Sequence, residues 1–156
     1  EKQGQISEID FELMGNSMDQ QLIDADSGLT LDENNEASVD VDFDVENTGT
    51  CDIYIRVAIL PLILDKQNSQ IVYKLNKSSC EIQYCNENNS SVLDDEYWEK
   101  SSDGYYYYKK VLKQGQGLEN GLISRVKFKP NNSEVVDFCD KKVQIAVKVE
   151  SRQNEF

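Results

Sequence analysis

Residues 39–61, Val-Asp-Val-Asp-Phe-Asp-Val-Glu-Asn-Thr-Gly-Thr-Cys-Asp-Ile-Tyr-Ile-Arg-Val-Ala-Ile-Leu-Pro, decide the fold. In the first half, Val39, Val41, Phe43 and Val45 alternate with Asp40, Asp42, Asp44 and Glu46. That period of two belongs to a strand with one face buried and one in water. A helix would scatter the four apolar residues around its circumference. Asn47, Thr48 and Gly49 supply turn chemistry, since Asn and Gly adopt positive φ at little cost. From Ile53 to Leu60 the chain is nearly all apolar or β-branched and suits a central strand. Pro61, lacking an N–H, is expected to end its ladder. The stretch therefore reads as a hairpin that anchors a core.

Outward from it, the same period recurs. Ile9, Phe11 and Leu13 alternate with Glu8, Asp10 and Glu12 close to the N-terminus. Gly15–Ser27 carries little pattern: Leu22 and Ile23 fit a strand or a helical turn, and Asp26, Ser27 and Gly28 read as a turn before Leu29–Leu31. Gln70–Leu75 and Cys80–Cys85 read as two short strands around Asn76, Lys77 and Ser78. Asp103-Gly104 is a hairpin signal between Trp98 and the run Tyr105–Tyr108. Leu122–Phe128 and Lys142–Val149 close the chain with two more alternating strands. Eight or nine short antiparallel strands, with turns every ten or so residues and no long helical pattern, predict an all-β jelly-roll sandwich. Val39, Val41, Phe43, Val45, Val57, Ile59, Val126, Ile145 and Val147 form its expected core. Residues 1–13 read as an N-terminal strand and 14–156 as a single domain.

The 156 residues include 29 acidic and 16 basic side chains, a net charge of −13, and no histidine. Nucleic acid and anionic membrane surfaces are poor partners for such a chain. Without histidine there is no Ser-His-Asp or Cys-His machinery and no HExxH zinc site, so an enzyme is not expected and no cofactor or metal is assigned. No apolar run approaches the roughly 18 residues of a membrane-spanning helix, and no membrane insertion is expected. The first residue is Glu1 instead of Met, which fits an exported chain after signal-peptide removal.

Four constellations have a chemical reading. The outward row Asp40, Asp42, Asp44 and Glu46 resembles a calcium ligand set, but residues two apart on a strand sit about 6.6 Å from each other, too far to converge on one ion. A solvated face is the expectation, and the loop acids Asp94, Asp95 and Glu96 read the same way. The four tyrosines suggest a sugar-stacking surface, yet parity sends Tyr105 and Tyr107 to one face and Tyr106 and Tyr108 to the other, so one pair belongs to the core. Arg56, inside an apolar run, needs a carboxylate partner. Cys51, Cys80, Cys85 and Cys139 contain no CxxC pair and are expected to form disulfides. Cys80 and Cys85 lie at the ends of one strand, about 16 Å apart, and so should not bond to each other.

The string Val45-Glu-Asn47-Thr-Gly49, then Tyr54-Ile-Arg56-Val57 and Pro61, Trp98, Asp103-Gly104-Tyr105-Tyr106-Tyr107-Tyr108-Lys109 with Leu112 and Gly115, Val126, and the closing Val147-Lys-Val149-Glu150-Ser-Arg-Gln153 resembles the TasA/camelysin-type exported proteins. The likeness spans residues 35–153. It implies a secreted subunit of extracellular biofilm-matrix fibres in Gram-positive bacteria, exported by the SipW-type route. It also implies a homopolymer in which an N-terminal donor strand, here Ile9, Phe11 and Leu13, completes the sheet of a neighbouring copy. The cysteines depart from the family pattern, and the metalloprotease activity described for camelysin has no histidine to rest on here. The rival classes are a monomeric cell-surface adhesin and a carbohydrate-binding β-sandwich module.

Overall fold

The computed structural model describes residues 5–24 and 31–156, so the turn expected at Asp26–Gly28 lies outside the described residues. Two sheets pack face to face. The first holds β1 (Gln5–Leu13), β3 (Ala37–Asn47), β9 (Ile123–Phe128) and β6 (Cys80–Tyr84), in the order β1-β3-β9-β6. The second holds β2 (Ser17–Asp24), β10 (Lys142–Arg152), β4 (Tyr54–Leu64), β8 (Tyr106–Tyr108) and β7 (Trp98–Lys100), in the order β2-β10-β4-β8-β7, and β5 (Ile71–Lys74) pairs with the far end of β4. One short helix, α1 (Val135–Asp140), precedes β10.

The expected all-β sandwich is present, and alternation chooses its inner faces. Val39, Val41, Phe43 and Val45 of β3 face Val143, Ile145, Val147 and Val149 of β10 and Ile55 and Val57 of β4 across the core, all of them buried. Ile59 is half-buried, because it lies where β4 runs past the end of β8. Trp98 is fully buried, with its ring 4.8 Å from that of Tyr108 and its Nε1 donating to the Asn120 carbonyl at 3.1 Å. That bond removes the cost of burying the indole N–H.

Several sequence expectations need correction. β3 and β4 are not a hairpin: they lie in opposite sheets. Alternation marks which face is buried by the opposite layer and leaves open which strand pairs along the edge. The crossing is built on Asn47, whose side-chain Nδ2 donates to the carbonyls of Cys51 at 2.8 Å and Leu112 at 2.9 Å while Oδ1 accepts from Gly49 N–H. A Cβ on Gly49 would meet Met14 Cβ at 2.7 Å, so only glycine passes beneath the β1–β2 connection. Pro61 does not end β4, which continues to Leu64. Its carbonyl accepts from Leu75 N–H, and an extended residue presents N–H and C=O on the same side, so the missing donor faces the edge away from β10 and costs that ladder nothing. The described residues form ten strands, close to the eight or nine expected, and Leu22 and Ile23 lie in β2. β1 runs parallel to β3, with Ile9 opposite Phe43 and Phe11 opposite Val45, which departs from the all-antiparallel expectation. The Asp103-Gly104 turn does join β7 and β8 as an antiparallel hairpin, with Gly104 at φ +91°.

Candidate functional site

β1 is the edge of its sheet. Among the described residues only β3 pairs with its backbone, and its other side is met by the Gln21 side chain, whose Nε2 donates to the Asp10 carbonyl at 2.6 Å. Its inward side chains, Ile9, Phe11 and Leu13, are at most 4% exposed, and the Phe11 ring meets Phe43 edge to face at 5.9 Å. The remaining segment, Glu1–Gly4, lies outside the described residues. The three residues singled out for assembly therefore sit in the core of the single chain, at its most peripheral strand.

The outer face of this sheet has two kinds of seam. Between β3 and β9 the charges are complementary: Asp40 pairs with Arg125 at 2.7 Å and Glu36 with Lys127 at 3.5 Å. β6 continues the pattern with Glu81 and Lys129 at 2.8 Å, and Lys129 holds the Glu81 carboxyl below its usual range. Between β1 and β3, by contrast, Glu8 stands opposite Asp42, Asp10 opposite Asp44, and Glu12 opposite Glu46. Like charges directly opposed across a ladder destabilise it. Asp44 spends one oxygen on Leu118 N–H at 2.9 Å, and among the described residues no three His, Cys, Asp or Glu side chains stand together as metal ligands. Asp94 likewise serves its own loop, its Oδ1 accepting from Glu96 N–H.

On the second sheet the tyrosines divide by parity. Tyr106 and Tyr108 are buried, and Tyr105 and Tyr107 face outward around Arg56. Arg56 Nη2 donates to Glu150 Oε1 at 2.9 Å and Nη1 to the Tyr107 hydroxyl at 3.1 Å, with the guanidinium 4.2 Å from the Tyr105 ring centre and 4.7 Å from that of Phe156. The Tyr105 hydroxyl donates to the other Glu150 oxygen at 2.8 Å. Burial opposes ionisation of both partners, but the Arg56 and Tyr105 hydrogen bonds outweigh it and hold the Glu150 carboxyl below its usual range, and the Glu150 bond raises Arg56. This is the ion pair expected for Arg56, and it occupies the aromatic faces that a sugar would need.

All four cysteines are free, against the expectation of disulfides. Cys80 points into the core, where burial pushes its thiol up to about 12, whereas Cys51 and Cys139 lie exposed on the surface. Cys139 follows Phe138, the α1 residue that turns inward onto Phe128, and so faces out.

One feature was not foreseen from the sequence. β8 pairs with β4 only at Arg56 and Val57, and β5 only at Leu62–Leu64, which leaves a stretch of the β4 edge without a strand. Here the sandwich opens into a cleft of about 340 Å³ between β4 and β6. Its lining combines the apolar Ile59, Pro61, Leu75 and Ile82 with the polar Lys77, Lys100, Tyr84 and Tyr106 and with Glu81, whose carboxylate is taken by Lys129.

Fold and site together define a two-layer β-sandwich with an edge strand, β1, set against β3 by opposed carboxylates, and an open inter-sheet cleft. Comparison with protein-family models, curated proteins and solved structures finds no match.

Proposed function

We propose that the chain is a structural subunit of an extracellular bacterial fibre, assembled head to tail by passing β1 from one copy to the next. The setting, secreted into a biofilm matrix or onto the cell surface, comes from the TasA/camelysin resemblance. The observation that supports the assembly is the β1–β3 seam: an edge strand with three core side chains, held by one parallel ladder and opposed by three carboxylate pairs. Releasing it costs less than releasing a strand with complementary neighbours. Reinserting it beside β3 of a second copy restores every contact, so exchange conserves energy while joining molecules. A head-to-tail exchange is heterologous and need not close on itself, and where the rotation between copies leaves it open it propagates as a filament.

The test combines negative-stain microscopy with cross-linking of the full chain. Glu8 and Asp42 are both exposed and directly opposed. In a background of Cys51→Ser, Cys85→Ser and Cys139→Ser, the pair Glu8→Cys and Asp42→Cys is oxidised after incubation at high concentration. Exchange gives a ladder of covalent oligomers on denaturing gels. Monomer alone, together with an absence of filaments, rejects the reading. Deleting residues 1–13 abolishes assembly and leaves Phe43 and Val45 uncovered, so that variant is a monomer of reduced stability.

A further inference from the structure

The cleft between β4 and β6 carries an imbalance that the strand-exchange reading does not use. Its interior is apolar, formed by Ile59, Pro61, Leu75 and Ile82. Lys77, Lys100, Tyr84 and Tyr106 stand with Asn76 and Ser91 on its polar lining, where the one carboxylate, Glu81, is already paired with Lys129 at 2.8 Å. Lys100 Nζ donates to the Tyr106 hydroxyl at 3.4 Å and stands 4.6 Å from that ring's centre, and the Tyr106 and Tyr84 hydroxyls share a hydrogen bond at 2.8 Å. Two hydroxyls joined by one bond use only one of their two protons, whichever of them donates, and Lys100 cannot accept the other. One phenolic O–H is therefore without an acceptor among the described residues. Lys77 adds a further cation, and neither lysine has a carboxylate within ion-pair distance among the described residues. Burial, and then the neighbouring charge of Lys77, lower the Lys100 ammonium below its ordinary value, and burial raises Tyr106. In a chain of net charge −13, two unpaired cations and a surplus donor converge at the mouth of an apolar slot.

We propose that this cleft binds a small single-chain amphiphile with an anionic head, such as a medium-chain carboxylate. The head accepts from Lys77, Lys100 and the surplus tyrosine hydroxyl, and the hydrocarbon lies between the sheets against Ile59, Pro61, Leu75 and Ile82. The cleft volume falls in the ordinary range for small-molecule sites, roughly 300–1,000 Å³. Charge-assisted hydrogen bonds fix the head, and each buried methylene adds about 0.8 kcal/mol of transfer free energy.

Isothermal titration of the full chain with decanoate, decanol and decyltrimethylammonium tests it, with amide chemical shifts locating the site. Saturable binding of decanoate is expected, at least tenfold tighter than the other two, with shifts at residues 59–61, 80–84 and 104–106. Lys77→Gln with Lys100→Gln weakens decanoate at least tenfold and decanol less than twofold, and Tyr84→Phe weakens decanoate about threefold. Both lysines are exposed, so the double variant retains the fold, which circular dichroism verifies. Equal affinity for the three probes, an unchanged double variant, or no saturation by decanoate overturns the proposal. So does a peptide of residues 5–13 that occupies the cleft where decanoate does not, since the cleft is then a strand acceptor.

Discussion

The carboxylate seam between β1 and β3 sets a measurable stability. Glu8, Asp10 and Glu12 each face an acid on β3, and paired residues on neighbouring strands lie about 4.8 Å apart. Two unit charges at about 5 Å in water repel by about 0.8 kcal/mol, which agrees with the roughly 0.2–1 kcal/mol assigned to a cross-strand pair. Three pairs thus cost about 2 kcal/mol at low salt, and a Debye length of about 8 Å at physiological ionic strength roughly halves that. Replacing Glu8, Asp10 and Glu12 by Lys turns each repulsion into an attraction, so the triple variant gains about 2–4 kcal/mol at 10 mM salt and about half as much at 150 mM. Urea unfolding followed by fluorescence of the single tryptophan, the buried Trp98, reads both values. The substitution also moves the net charge from −13 by 3 × 2 to −7, so a control changes Glu33, Glu87 and Glu155 to Lys in exposed segments. The control reproduces any global effect of charge without touching the seam. The reasoning is refuted if the two triple variants gain equally, or if the β1 variant is no more stable than the parent at low salt. Under the strand-exchange reading, the stabilised seam also opens less often, and the β1 variant forms filaments more slowly than its parent.

Glu150→Gln leaves Arg56 without its carboxylate and destabilises the domain by about 1–3 kcal/mol at pH 7. Because the folded Glu150 carboxyl lies below its usual range, its contribution is present above the ordinary carboxylate value, about 4.3, and is lost as the pH falls through the folded value. Parent and variant therefore converge in urea titrations run progressively below pH 4. Asn47→Ala removes three hydrogen bonds made by a fully buried side chain and lowers the unfolding midpoint by the equivalent of about 2–4 kcal/mol. A thiol reagent at pH 8 labels Cys51 and Cys139 rapidly, whereas Cys80, with its thiol near 12, reacts only on unfolding. Labelling of all four at one rate contradicts the burial pattern.

How much of this was legible in the sequence depends on whether the signal is local. The alternation Val39-Asp40-Val41-Asp42-Phe43 fixes which side chains turn inward, because the pleat alone decides that, and the same rule divided Tyr105–Tyr108 into a core pair and a surface pair. Arg56 had to find a carboxylate whatever the topology, since burial without one is costly. Which sheet a strand joins is not local. β3 and β4 have the pattern of hairpin partners and lie in different layers, because a buried face carries no record of whether its neighbour is beside it or across from it. Pro61 misled for a related reason: its missing N–H matters only on one edge, and the edge is chosen by β10, eighty residues further on. Six residues gave α1 too few turns to show a helical period, and its single buried side chain, Phe138, looks the same in a loop.

The cleft was illegible for a physical reason of its own. It is made by what two strands leave uncovered: β8 stops pairing with β4 at Val57 and β5 begins at Leu62. None of its lining residues is unusual by type. Lys77 reads as a turn residue, Lys100 as the end of a strand and Ile59 as core, and only their convergence gives two cations and a surplus hydroxyl proton around an apolar slot. The seam at the opposite edge is the reverse case. Its acids are the clearest pattern in the sequence, yet they read as a solvated face until the parallel register of β1 sets Glu8, Asp10 and Glu12 against Asp42, Asp44 and Glu46. A shift of β1 by one residue would put Ile9 and Phe11 in water, so the chain cannot relieve the repulsion by sliding. The side chains that bury β1 and the charges that loosen it are locked into one register, and β1 can escape the repulsion only by leaving β3.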